Sequence, residues 1–117
     1  MPKGQLAEDA VPAYIWSLDI ETRQGRTTAT VTLEGSLDQH SSAPFRECVD
    51  EALGVRPAFV VVDARRLTFV DAAGLAALVR ARRAASEAGV AFRVRDASPA
   101  LRHLAEEAGF EALLPDE

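Results

Sequence analysis

A single cysteine, Cys48, excludes an intrachain disulfide and any thiolate cluster assembled from this chain alone. It is expected to act as a small buried hydrophobe. Histidine is almost as scarce. His40 and His103 share no metal-ligand spacing with each other or with Cys48, so no metal site is expected. Long apolar runs are missing too. The longest uncharged apolar run, over residues 72–79, falls well short of the roughly 20 residues that cross a bilayer, and the amino terminus lacks the basic-then-apolar order of a signal peptide. The expectation is a cytoplasmic protein with no direct membrane insertion. Aromatic residues make up 6% of the chain, and arginines without interleaved aromatics do not read as a nucleic-acid surface. Nor is there a phosphate-cradling glycine loop, a nucleophile elbow or a carboxylate pair placed for acid and base work. No enzymatic activity and no cofactor are expected.

What remains is a chain of 117 residues, 48% hydrophobic and 26% charged, which suits one domain with one core. Its charge is unevenly spread. Residues 56–102 hold nine arginines against Asp63, Asp71, Glu87 and Asp96, so that segment carries +5 while the rest carries -10 of the net -5. Such a split predicts oppositely charged sides that steer protein partners, or more simply a solvated helix face carrying Arg80, Arg82 and Arg83.

Residues 1–13 contain two prolines and a glycine without periodicity and are expected to form a flexible arm ahead of a domain over 14–117. Alternation then begins. Tyr14, Trp16, Leu18 and Ile20 point one way, and after a Gln24-Gly25 turn Ala29, Val31 and Leu33 repeat the pattern against Thr28, Thr30, Thr32 and Glu34. This predicts a β-hairpin with one wet face. A helix follows Gly35-Ser36-Leu37-Asp38, with Ser41 or Ser42 near its cap, Pro44 in its first turn, a stripe of Phe45, Cys48, Val49, Ala52 and Leu53, and Gly54 as its end. Phe59-Val60-Val61-Val62 is too continuously apolar for a half-wet strand and is expected to lie centrally and parallel to its neighbours. A second helix is predicted over 72–88, stopped by Gly89, and Val90, Phe92 and Val94 alternate with Ala91, Arg93 and Arg95 in a further strand. Ser98 caps a third helix with Pro99 at its first position, a stripe of Leu101, Leu104, Ala105 and Ala108, and Gly109 at its close. Phe110, Leu113 and Leu114 are left to cover a core edge.

The order ββαβαβα predicts an α/β domain with a mixed, mostly parallel sheet, an N-terminal antiparallel hairpin, and helices chiefly on one face. Four pieces in this order carry a resemblance: Gly35-x-Leu37-Asp38, the strand at 59–63, Leu67-Thr68-Phe69-Val70-Asp71-Ala72-Ala73-Gly74-Leu75, and Ser98-Pro99. Together they resemble the STAS domain, the module of anti-sigma factor antagonists, over residues 20–114. The resemblance implies a single STAS-type domain, a monomer or weak dimer, that binds an anti-sigma factor which is also a serine kinase. In such proteins phosphorylation of the serine or threonine directly after the motif aspartate ends the binding. That acceptor position falls on Ala72, which has no oxygen to modify.

A phosphate in the first turn of a helix would meet free backbone N–H groups and the positive end of the macrodipole, while presenting about two negative charges to a docking partner. With Ala72 in place the surface is expected to stay in its uncharged form. The resemblance places the partner surface on Asp38, Thr68, Asp71, Ala72, Ala73, Gly74 and Leu75. Each polar member keeps a plainer reading: Asp71 as a helix N-cap, Asp38 as an Asx turn, and Thr68 as a β-former, against its use as a replacement acceptor. Two other functions stay open, an accessory STAS subunit of a membrane transport ATPase assembly and a sensor of a nucleotide or small anion.

Overall fold

The computed structural model describes residues 14–114; the arm expected over 1–13 and the last three residues lie outside them. Within the described span the chain runs β1 (Tyr14–Arg23), β2 (Arg26–Leu37), α1 (Ser42–Gly54), β3 (Phe59–Val70), α2 (Ala72–Glu87), β4 (Ala91–Arg95), α3 (Pro99–Ala108) and a 3-10 turn at Glu111–Leu113. The strands lie in chain order. β1 pairs antiparallel with β2, and β2–β3 and β3–β4 pair in parallel. The hairpin turn has Gln24 and Gly25 both at positive φ, 53° and 78°. That is the type I′ geometry, whose twist matches the two strands it joins.

Both parallel connections step the same way across the sheet, so two right-handed crossovers place α1 and α2 on one face. Burial follows. Ala29, Val31 and Leu33 of β2 and Val60, Val62 and Ala64 of β3 are sealed from solvent. Val31, Leu33, Val62 and Ala64 share one core with Phe45, Val49, Leu78 and Leu101 from the three helices. Phe45 and Val49 each contribute about 1.5–3 kcal/mol by this burial before entropy is subtracted. Leu53, expected on the same stripe, is only half-buried, and Ile20 is 45% exposed. The alanines of α2 let its backbone lie low: Ala77, Ala81 and Ala85 are all buried.

Two boundaries depart from expectation. β2 continues past Glu34 to Leu37 through register shifts around Gly35, whose φ is 85°. β3 runs 12 residues, to Val70, well beyond the apolar run that marks its start. Its second half carries Arg65 and Arg66, which break the apolar pattern but pair with acids of neighbouring segments: Arg65 with Asp96 at 3.3 Å and Arg66 with Glu34 at 3.1 Å. α1 ends at Gly54 as expected, but the left-handed residue that turns the chain out is Arg56, with a φ of 53°. The later stops conform, with Gly89 and Gly109 at φ 75° and 80°. Of the apolar tail, Leu113 and Leu114 are buried, whereas Phe110 stays 43% exposed.

Candidate functional site

The carboxyl ends of β2 and β3 lie side by side, with Leu37 opposite Val70, and each opens into a helix-starting loop. The Asp71 N–H donates to the Leu37 carbonyl at 3.3 Å and ties the two loops together. Asp71 is extended, with φ -106° and ψ -175°, as an N-cap residue should be, and its Oδ1 accepts from the Gly74 N–H at 2.8 Å. Leu75 N–H then donates to the Asp71 carbonyl at 2.9 Å, closing the first turn of α2.

Gly74 is buried where α2 meets β2. A Cβ there would overlap the Leu37 carbonyl oxygen and lie 2.7 Å from its carbon, so only glycine allows this approach. The consequence is a helix start held against the end of a strand. Ala72 is exposed and Ala73 half-exposed on that start. Leu75 is 4% exposed, so together with Gly74 it shapes the surface from beneath rather than standing on it as a contact residue.

Asp38 sits one residue beyond the Leu37 contact, half-buried. Its Oδ1 accepts from the His40 N–H at 2.9 Å and the Ser41 N–H at 3.2 Å, which is the Asx-turn role. Ser41 completes the loop. Fully buried, it makes no side-chain cap; its hydroxyl accepts from the Asp38 N–H at 2.9 Å and reaches back to the Ser36 carbonyl at 3.1 Å. Thr68 is exposed, and its Oγ1 donates to the Gly35 carbonyl at 3.1 Å across the β2 irregularity.

The structure therefore gathers Asp38, Thr68, Asp71, Ala72 and Ala73 around one end of the sheet. One neighbour escapes the sequence reading. Phe69, 52% exposed beside this junction, presents a large apolar side chain to solvent. Strand alternation gives no signal for it, because Thr68 and Phe69 both face solvent between the buried Leu67 and Val70. From Ala72 a groove of about 410 Å³ runs between α2 and α3, floored by Leu75, Val79 and Leu104 and rimmed by Arg80, Arg83 and Phe110. The arrangement offers backbone, methyl groups and an aromatic face, which suits close protein contact.

The remaining polar candidates lie apart from this end. Ser98 is the N-cap of α3, its hydroxyl accepting from the Leu101 N–H at 3.3 Å. His103 pairs with Glu107 at 3.2 Å on an exposed helix turn. Among the described residues no three His, Cys, Asp or Glu side chains stand close enough to hold a metal, and no helix is long and apolar enough to cross a membrane. Cys48 packs half-buried against the core; burial first, and then the Glu51 carboxylate, push its thiol up from the ordinary range.

Comparison with known proteins matches this architecture. A curated relative, the anti-sigma F factor antagonist of Paenibacillus polymyxa, is 29% identical over 100 residues, which cover 85% of this chain and 86% of the relative. The solved structure of the anti-sigma factor antagonist SpoIIAA in its unphosphorylated form superposes with a TM-score of 0.72 at 21% identity, covering 88% of each chain. The Bacillus cell fate determinant SpoIIAA in the phosphorylated form superposes with a TM-score of 0.66, also at 21% identity, over 88% of this chain and 91% of that one. The family described as "Mlab, STAS domain" matches residues 20–115. With its strand-ordered sheet, its helices gathered on one face and its capped α2 start, the chain belongs to the STAS domain family.

Proposed function

We propose that this chain is a non-catalytic protein-binding module of the anti-sigma factor antagonist type, and that it docks an anti-sigma factor with serine-kinase activity through the start of α2. The observation that carries the reading is Ala72. It is the first residue of α2, exposed, directly after the capping Asp71. A hydroxyl there would sit among the free N–H groups of the first turn, where added phosphate would be held and would change the charge seen by a partner. A methyl group cannot be modified, so the docking surface is permanently in its binding form.

Thr68 does not replace the missing acceptor. Its hydroxyl, carried by β3 rather than by the first turn of α2, donates to the Gly35 carbonyl. The small side chains of Ala72 and Ala73 admit close backbone approach, Phe69 supplies apolar area, and Asp38 and Asp71 set the charge a basic partner segment would meet.

The test is capture of the anti-sigma kinase by this chain with and without ATP. The complex is expected to survive ATP, and Ala72→Ser is expected to become phosphorylated and to dissociate. Release of the unsubstituted chain by ATP, with phosphate found on it, would overturn the reading. So would an Ala72→Ser protein that binds the kinase but is never modified.

A further inference from the structure

Among the described residues, one face of the sheet carries no helix. Parallel sheets are normally covered on both faces, so a parallel three-strand segment left open on one side calls for a covering partner. The strand registers lay out that face in rows. Asp19, Thr30, Val61 and Arg93 form the middle row, from β1 across to β4. Glu21, Thr28, Phe59 and Ala91 lie on one side of it, and Ser17, Thr32, Asp63 and Arg95 on the other. The centre is weakly polar and half-buried, while the two margins differ in sign: Asp19 and Glu21 stand exposed on β1, Arg93 and Arg95 on β4.

Two of these charges are uncommitted. Arg95 is engaged by Asp63 at 3.4 Å, but neither Asp19 nor Arg93 makes an ion pair among the described residues. They occupy opposite ends of the same row. We propose that this open face is a self-association surface, on which a second copy of the chain stacks with its β4 over β1 of the first.

A two-fold axis parallel to the strands and lying between two such faces exchanges left and right. Asp19 then faces Arg93 of the second copy, and Thr30 faces Val61, twice over in one contact. An axis perpendicular to the strands would instead set β1 on β1 and acid on acid. Charge therefore selects the first arrangement, and its near-parallel strands agree with the usual aligned packing of two sheets. The footprint is small. Four strands spaced ~4.8 Å apart, crossed by the length of the five-residue β4, give on the order of 300 Å². That is well under the roughly 800 Å² per partner of a standard interface, so the dimer is weak and concentration-dependent. The start of α2 belongs to the helix-covered side of the molecule, so stacking leaves it free.

The experiment is sedimentation equilibrium of the full chain from ~10 µM to about 1 mM at low ionic strength, repeated in about 0.5 M NaCl. The chain is expected to associate as concentration rises and to lose most of that association in salt. Asp19→Arg and Arg93→Asp, each folded by circular dichroism, should be monomeric alone, and an equimolar mixture should associate again, because both cross-copy pairs are restored. A wild-type chain that stays monomeric throughout overturns the proposal. Undiminished association of either single variant, or a mixture that fails to recover it, does the same.

Discussion

Replacing Gly74 with alanine separates local helix preference from tertiary fit. Within a helix, alanine is favoured over glycine by about 1 kcal/mol, so propensity alone predicts a gain. Geometry predicts the reverse. The new methyl group would collide with the Leu37 carbonyl, a backbone group that cannot rotate aside, while the Asp71 N–H is bonded to that same oxygen. Relief requires α2 to lift from the end of β2, loosening Leu75 and Leu78 in the core. Overpacking costs about 1–3 kcal/mol, and a rigid backbone neighbour puts this case at the upper end, which leaves a net loss of ~2 kcal/mol after the propensity gain. For a domain of this size that lowers Tm by about 10 °C. Urea unfolding of Gly74→Ala beside Gly54→Ala makes the comparison internal, because a methyl group at Gly54 would meet nothing within 4 Å. Gly54→Ala should be neutral or stabilising by up to about 1 kcal/mol. A Gly74→Ala protein as stable as wild type would refute the tight-contact account of this junction.

Two further outcomes follow from the same bonds. Asp71→Ala and Ser98→Ala should each cost about 1 kcal/mol in urea unfolding through loss of an N-cap, whereas Asp71→Asn, which keeps a carbonyl acceptor for the Gly74 N–H, should retain most of the stability. Cys48, with its thiol pushed up by burial and by Glu51, holds less thiolate at any given pH than a free cysteine. Its reaction with a disulfide reagent near pH 8 should therefore be slow in the native protein, accelerate as pH rises, and approach the free-thiol rate in urea; equal native and unfolded rates would contradict the burial.

Features written in one or two residues were legible before any coordinates. Gln24-Gly25 specifies its turn, Ser98-Pro99 and Gly109 bracket α3, and Asp71 announces the start of α2. Features that depend on a distant neighbour were not. Arg65 and Arg66 seem to end a strand until Asp96 and Glu34 are seen beside them. Gly74 reads as a weak helix former until the Leu37 carbonyl appears against it. Ser41 reads as a cap, yet its hydroxyl is turned back to Ser36 and Asp38 because it is fully enclosed. At the site, the position of Asp71 and Ala72 could be read from their order alone. The outward Phe69 could not, since the inside-outside count along β3 changes where two successive residues, Arg65 and Arg66, both face solvent.

The sheet's strand order, the same as the order of synthesis, has a bearing on how the chain assembles. No strand must be threaded between two that are already joined. The hairpin forms from neighbours in the chain, and each later helix and strand can be laid onto a margin that already exists, as a wall is extended course by course. A ribosome delivering the amino-terminal part first would present these pieces in the sequence in which they are needed.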